Sequence, residues 1–362
     1  MGITGLLPIV KGIMKKTHIG KFSGTKLGID GHAWIHQVLP SISYELYTGN
    51  PIKRHLDIFM SKIQSLLDFN IKPIFVFDGD YLESKEKTIK EREALRKKAK
   101  DEVEFYLKRN DMGKARDLMK RCVSVTPEVL HSILNLLKMN QIEFIVSPYE
   151  ADAQLYFLQK VGYIDHILTE DSDLIVYGSS SVLYKYSGTH VDEYDANHLH
   201  KAKDVYFKEN LLDICILSGC DYLDSIKGVG LITAHKVLKA NKDISSFTKH
   251  MASLNKTIPT DYLEEFEKAK TTFLHHIVYN PLTRKRQFLK EPNVCCKFLG
   301  TLEDIPIRLK CQFGNDVQIN RHFTPKKLVN HDKNSDLKDF VDKIELYDDS
   351  ILDKKSKLPY FD

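Results

Sequence analysis

Hydrophobic positions along the first two-thirds of the chain alternate between two spacings. Lys26–Asp30 (KLGID) and Pro73–Asp78 (PIFVFD) are short apolar runs that each end on an acid, and Ile142–Val146 (IEFIV) is a third run of the buried-strand type. Between them, Ala33–Tyr47 and His55–Phe69 carry apolar residues at helical spacing. Thr126 and Pro127 supply an N-cap and a first-turn proline for another helix, and Pro148 opens the next. Ile164–Thr169 and Leu174–Tyr177 flank the tight sequence Glu170-Asp171-Ser172-Asp173. This alternation predicts an α/β fold with a central, mostly parallel sheet flanked by helices on both faces.

Two regions depart from the alternation. Residues 83–121 hold 14 Lys/Arg against 9 Asp/Glu and few apolar residues before Phe105. A helix this polar has little face to bury, so it is expected to stand off the body as an arch. From residue 330 to 362 the chain is polar and rich in lysine and aspartate, the composition of a mobile tail.

Composition narrows the class without naming a function. The chain of 362 residues is 42% hydrophobic and 28% charged, which suits a globular protein of one large domain or two ordinary ones. Its 53 basic residues nearly cancel 49 acidic ones, so the placement of charge matters more than the net +4. Six cysteines form no CxxC pair, which points to free thiols in a reducing compartment, not to a zinc site or a disulfide frame. No apolar run is long enough to span a bilayer. The start MGITGLLPIVKGIMKK has Leu6 where myristoylation needs Ser or Thr, and it lacks a secretory cleavage site. With no acid before Asp30 its composition leaves a mitochondrial presequence open, although Pro8 and several glycines break an amphipathic helix. The expectation is an intracellular protein whose N-terminus belongs to the fold.

The placement of the acids is the informative feature. Asp30 and Asp78 end strands, Glu150 and Asp152 follow the third, and Asp171 and Asp173 follow the fourth. Carboxyl ends of parallel strands share one crevice, so segments far apart in sequence deliver six acids to one place. Asp221, after an apolar helix, is a seventh candidate. Taken singly, Asp30 and Asp78 could open turns and Glu150 could sit in a first helical turn. Recurrence at four strand ends favours a metal site. So many carboxylates need a counter-charge, and all-oxygen ligation suits Mg²⁺, with Mn²⁺ as a substitute. Two ions roughly 3.5–4 Å apart can clamp a phosphoryl displacement, with a water of lowered pKa as nucleophile.

At these residues the chain resembles the flap endonuclease/XPG family of structure-specific 5′ nucleases. The matching stretches are MGITGLLP at the start, FVFDG at 75–79, PYEADAQL at 148–155, TEDSDLIVYG at 169–178 and LSGCDYLDSIKGVGLITA at 217–234, within a resemblance running to about residue 290. The start and the form EADAQ favour the exonuclease 1 branch of the family. The resemblance implies a PIN-like 5′ nuclease fold with a helical arch and a C-terminal helix–two-turn–helix region. Its segments would be 1–82 and 122–205 for the nuclease body, 83–121 for the arch, 206–290 for the helix–two-turn–helix region and 291–329 for a wrap-back segment. It implies metal-ligand roles for Asp30, Asp78, Glu150 and Asp152 toward one ion and for Asp171, Asp173 and Asp221 toward the other. Gly2 would pack near this site.

The family also implies a DNA grip. Lys85, Arg92 and Arg96 share a helix face by spacing. In relatives the lysine and first arginine reach the scissile phosphate, where cations neutralise developing charge; Arg96 would contact DNA. Lys227, Gly228 and Gly230 would approach a phosphate at a helix N-terminus, and Ser218, Ser225 and Val229 match positions that hold a potassium ion through backbone carbonyls. His32 and His36 match positions that wedge against bent DNA, although His32 stands where tyrosine is usual and Glu83 where proline is common. Trp34 is expected in the core.

The expected function is 5′→3′ exonuclease action on double-stranded DNA with 5′ ends, nicks, gaps or flaps, with 5′-flap endonuclease activity alongside. Mismatch repair and recombination are the implied settings, and a monomer in the nucleus the implied form, with no membrane contact and no recognisable motif for a repair partner. The alternatives are a replication-type flap endonuclease and a DNA-structure-binding protein without catalysis.

Overall fold

The run Pro73–Phe77 is apolar at every position and buried at every position, as a strand covered on both faces demands. It forms the middle of a sheet in a computed structural model that describes residues 2–49, 53–293, 296–309 and 317–325. The chain divides into two units. The first comprises Met1–Trp34, Lys62–Leu95 and Phe144–Ile305, the second Ile35–Ser61, Arg96–Glu143 and Pro306–Asp362.

The sheet of the first unit uses β1 (Lys15–His18), β2 (Lys26–Asp30), β3 (Lys72–Phe77), β4 (Glu143–Val146), β5 (His166–Leu168), β6 (Ser181–Tyr184) and β7 (His190–Asp195). Their order is β1-β7-β6-β5-β2-β3-β4. β2 runs parallel to β3 and β5, and β5 parallel to β6. β7 is antiparallel to both β6 and β1. The expected parallel centre is therefore present, with an antiparallel flank that the pattern did not announce. Lys15 and Lys16 of β1 are exposed, so this flank lacks the apolar run that marks a buried strand, and charge here also guards a sheet edge.

Leu27, Ile29, Ile74, Phe75, Val76 and Phe77 are all fully buried, each contributing roughly 1.5–3 kcal/mol of hydrophobic stabilisation. Gly28 lets the helix Ala151–Lys160 close on β2: a Cβ there would meet Ile164 Cδ1 and lie 2.9 Å from Leu155 Cδ2. A second sheet pairs β8 (Ile277–Asn280) with β9 (Lys285–Phe288) in antiparallel register. Gln154 joins it to the body, donating through Nε2 to Tyr279 O and accepting from Tyr279 N, both at 2.7 Å.

In the second unit, the helix Pro127–Met139 starts as its sequence dictates, with Thr126 Oγ1 accepting from Val129 N at 3.3 Å. The polar segment 83–121 forms the helices Glu86–Lys108 and Met112–Cys122. It does not stand off along its whole length. Ala99 and Val103, four residues apart on one face, pack on Ala115, Met119 and Cys122, with Tyr47 against them. The segment 291–329 is described only in part, including a strand pair of Ile307–Leu309 with Val317–Ile319. The tail at 330–362 lies outside the described residues. Among the described residues no helix is long and apolar enough to cross a membrane.

Candidate active site

Asp30 is the last residue of β2 and Asp78 the first after β3. Asp30 is held on both oxygens: Oδ1 accepts from Ala33 N at 2.9 Å and Oδ2 from Thr169 Oγ1 at 3.0 Å. Asp78 Oδ1 accepts from Ala151 N at 2.8 Å. It thus satisfies a first-turn amide that Glu150, at the N-cap, leaves open. The backbone locks the two segments together, Gly79 N to Tyr149 O at 2.6 Å and Asp80 N to Pro148 O at 2.9 Å. Freed from capping, the Glu150 carboxylate accepts on Oε2 from the Tyr222 hydroxyl at 2.6 Å. Asp171 and Asp173 sit on a turn braced by Asp171 N to Thr169 Oγ1 at 3.1 Å and Asp173 N to Asp171 Oδ1 at 3.0 Å. Asp221 follows Gly219, whose φ of 98° turns the chain out of the helix Leu211–Leu217.

The N-terminus closes one side. Ile3 N donates to Ser172 Oγ at 2.8 Å. Gly2 has φ 79°, and a Cβ on it would meet Asp171 Oδ1 and lie 2.6 Å from Asp173 Oδ1. No other residue fits between the N-terminus and this turn without displacing the carboxylates.

Four of the acids, Asp30, Asp152, Asp171 and Asp173, sit in a poorly solvated place, and their ionisation shows it. Burial, then Asp78, pushes Asp30 up to about 6. Burial, then Asp171, Asp30 and Asp173, holds Asp152 well above the usual carboxyl range. Burial, then Asp171 and Asp221, does the same to Asp173, and Asp171 is raised chiefly by burial. Glu150 goes the other way. Burial opposes its ionisation, but Lys85, His276 and Tyr222 outweigh that and hold it well below the ordinary range. Lys85 Nζ lies 2.8 Å from Asp221 Oδ2 and 3.2 Å from Glu150 Oε1. Burial alone would lower the Lys85 ammonium; Glu150 and Asp221 reverse this and raise it well above normal. Arg92 adds contacts of 3.1 and 3.2 Å to the Asp221 carboxylate.

The structure therefore brings six of the predicted carboxylates into one charged cluster with Lys85, namely Asp30, Asp78, Glu150, Asp152, Asp171 and Asp173, together with Asp221. Among the described residues no three His, Cys, Asp or Glu side chains converge as a ready-made set for one ion. The donors nevertheless fit a hard divalent cation. Every candidate ligand atom is oxygen, and Asp152 Oδ1 and Asp173 Oδ1 are buried without a hydrogen-bond partner, a cost that a cation would remove.

The predicted DNA contacts fall in several places. His32 Nδ1 accepts from Asp78 N at 3.0 Å, which fixes its ring beside that acid. His36 and Arg96 belong to the second unit. Trp34 is buried at 2% exposure, with Lys62 Nζ 4.1 Å from its ring centroid. Lys227, Gly228 and Gly230 are exposed just before the helix Leu231–Asn241. Gly228 has φ 81°, and a Cβ there would lie 2.9 Å from Lys256 Nζ. Ser218 ends its helix with Oγ donating to Cys215 O at 2.8 Å, and a Cβ on Gly219 would lie 3.2 Å from Ser225 N. Val229 N donates to Ile226 O at 2.8 Å, and Val229 is buried.

Sequence reasoning missed Thr169, Tyr222, His276 and Lys256. Thr169 and Tyr222 lie inside the motifs already quoted, where the acids drew attention away from their neighbours. His276 and Lys256 carry no local signal: each reaches its place through tertiary packing alone.

An open α/β sheet with carboxylates gathered at the carboxyl ends of its parallel strands, in a chain that superposes on a solved 5′ nuclease core, has the PIN-like nuclease fold. Models of the XPG N-terminal domain and the XPG I-region match residues 1–99 and 141–221. The chain is 36% identical over 286 residues to Exonuclease 1 of Arabidopsis thaliana, across 78% of this chain and 39% of that protein. It is 31% identical over 296 residues to the DNA damage-inducible protein DIN7 of Saccharomyces cerevisiae, across 79% of this chain and 68% of that one. The catalytic core of Rad2 in complex with DNA substrate superposes with a TM-score of 0.57 at 22% identity, across 74% of this chain and 86% of that one, a likeness of fold. The chain belongs to the XPG family, and it spans about two-fifths of the length of the first curated relatives it matches.

Proposed function

We propose that this chain is a Mg²⁺-dependent 5′ nuclease that removes nucleotides 5′→3′ from double-stranded DNA at ends, nicks and gaps and also cuts 5′ flaps. What carries this conclusion is the carboxylate cluster, in which Glu150 Oε1, Asp152 Oδ1 and Asp173 Oδ1 are buried without a hydrogen-bond partner, in a chain related to Exonuclease 1 proteins. Asp30, Asp78, Glu150, Asp152, Asp171, Asp173 and Asp221 would hold two divalent ions, for which Mn²⁺ substitutes. Bound there, such ions supply Lewis acidity to a phosphoryl oxygen and to the attacking water. The protein's own part is placement and charge. Thr169 and the amide of Ala33 fix Asp30, and Tyr222 fixes Glu150. Lys85 and Arg92, already inside the cluster, offer positive charge to a phosphate in transit. The exposed turn at Lys227–Gly230 takes the duplex backbone, with Ser218, Ser225 and Val229 offering carbonyls to a potassium ion. The setting is nuclear DNA repair, including mismatch repair and recombination.

The test is digestion of nicked, recessed and flapped duplexes, labelled at the 3′ end of the strand to be cut, against a Mg²⁺ titration. A ladder of successively shorter products from nicks and recessed 5′ ends is expected, with a cut at the flap base as a lesser product. Binding without cleavage at any Mg²⁺ or Mn²⁺ concentration would overturn the proposal.

Ion binding should also release protons. A carboxyl that stays protonated to higher pH competes longer with a cation, so raised values make affinity increase with pH. Asp30 at about 6, with Asp152 and Asp173 also raised well above the usual carboxyl range, predicts tighter Mn²⁺ binding at pH 8 than at pH 6. Titration calorimetry at pH 7 in two buffers of different ionisation enthalpy should give different heats; equal heats would contradict the predicted protonation.

A further inference from the structure

His276 lies just before β8, fully buried, with Nε2 3.9 Å from Glu150 Oε2 and neither ring nitrogen hydrogen-bonded. A buried imidazole with two idle nitrogens is costly, and folding has fixed it firmly in place. Its carbonyl accepts from Leu289 N at 2.8 Å. Three residues on, Tyr279 is pinned through both backbone groups to Gln154. Gln154 stands one helical turn beyond Glu150, so one helix face both presents the acid and sets the distance to the histidine. On the same side, Tyr222 already donates to Glu150 Oε2 at 2.6 Å, whereas Oε1 faces Lys85 at 3.2 Å. The two oxygens of this carboxylate therefore have different surroundings: one is backed by hydroxyl and imidazole, the other by the Lys85 ammonium.

We infer that His276 is a positioning residue for Glu150, donating with Tyr222 to Oε2 so that Oε1 is presented to a divalent ion once Lys85 withdraws. The gap of 3.9 Å needs a shift of about 1 Å to become a hydrogen bond, a rotation that Glu150 gains when Oε1 is released from Lys85. The inference rests on the metal-binding role proposed above for Glu150. It assigns His276 no contact with DNA or with the reacting atoms.

The test is Mn²⁺ binding to the full, DNA-free chain, read from the electron paramagnetic resonance signal of free Mn²⁺, for the wild type, His276→Leu and His276→Gln. Circular dichroism confirms folding. Leucine fills the space without a donor, and glutamine keeps one. His276→Leu is expected to weaken Mn²⁺ binding about tenfold and to raise the Mn²⁺ concentration for half-maximal cleavage by the same factor, with KM for DNA unchanged. His276→Gln is expected to recover most of the affinity. A folded His276→Leu protein with wild-type affinity, or a glutamine variant as weak as the leucine one, would overturn the inference while leaving the metal site intact. A wild type that takes up no Mn²⁺ would overturn the site itself and the inference with it. If the leucine variant does not fold, ¹⁵N-histidine spectra of the wild type decide: the His276 Nε2 resonance must move on Mg²⁺ addition, and an unmoved resonance refutes the role.

Discussion

Replacing Asp173 by Asn should cut DNA cleavage by at least about 10²-fold, because it removes a ligand of the ion that would stabilise charge developing in the transition state. The same substitution should stabilise the metal-free protein. Asn has nearly the shape of Asp, and the Asp173 amide that donates to Asp171 Oδ1 at 3.0 Å is backbone and survives. What disappears is a buried negative charge facing Asp171 and Asp221, with Oδ1 unpartnered. The sign follows from the raised value. A carboxyl that binds its proton more tightly when folded loses stability as pH climbs from the unfolded value, about 4, toward the folded one. Asn escapes that loss. Without metal, the melting temperature of Asp173→Asn should exceed that of the wild type at pH 8, and the two should converge at pH 4. With Mn²⁺ present the order should reverse, since only the wild type gains the ion's binding energy. Cleavage persisting in the variant, or a lower metal-free melting temperature at pH 8, would remove Asp173 from the site.

The contrast between its neighbours shows what a sequence can disclose. Asp30 and Asp78 were legible because each ends an apolar run, and strand ends in a parallel sheet converge by geometry alone. Glu150 was legible as an acid but not in its state: burial should raise it, and only Lys85, His276 and Tyr222 together lower it. None of those three is near it in sequence. Gln154 stands within a quoted motif, yet its function is to hold Tyr279, 125 residues away, which no local pattern encodes. The flank of β1 and β7 was missed for a simpler reason. Exposed lysines on β1 and half-buried polar positions on β7 give no apolar run, so edge strands leave a weaker trace than central ones. The polar helix at 86–108 holds more apolar contact than its composition suggests: the pair Ala99 and Val103 is enough to pack on the following helix, Met112–Cys122.

Lys85→Met should move two measurements in opposite directions. Lys85 bridges Glu150 and Asp221 at 3.2 and 2.8 Å, so in the DNA-free protein its ammonium neutralises the acids that a divalent ion needs. Methionine keeps most of the stem and removes the charge. Loss of this internal competitor should tighten Mn²⁺ binding by roughly tenfold, about 1.4 kcal/mol, a modest share of a partly screened ion pair. Cleavage should fall by about 10²-fold even at saturating Mn²⁺, because the cation is then missing beside the phosphate. Arg92, 3.1 Å from Asp221 Oδ2 but with its side chain 43% exposed against 20% for Lys85, should give the same pair of effects at smaller size in Arg92→Met. A purely structural lysine predicts something else: Lys85→Met would strip the ammonium from Glu150 and Asp221, lower the melting temperature and weaken ion binding along with activity. The opposed signs are therefore decisive. Weaker Mn²⁺ binding in a folded Lys85→Met protein, or unimpaired cleavage, would mean that the ammonium neither stands in for the ion at rest nor serves the phosphate in the reaction.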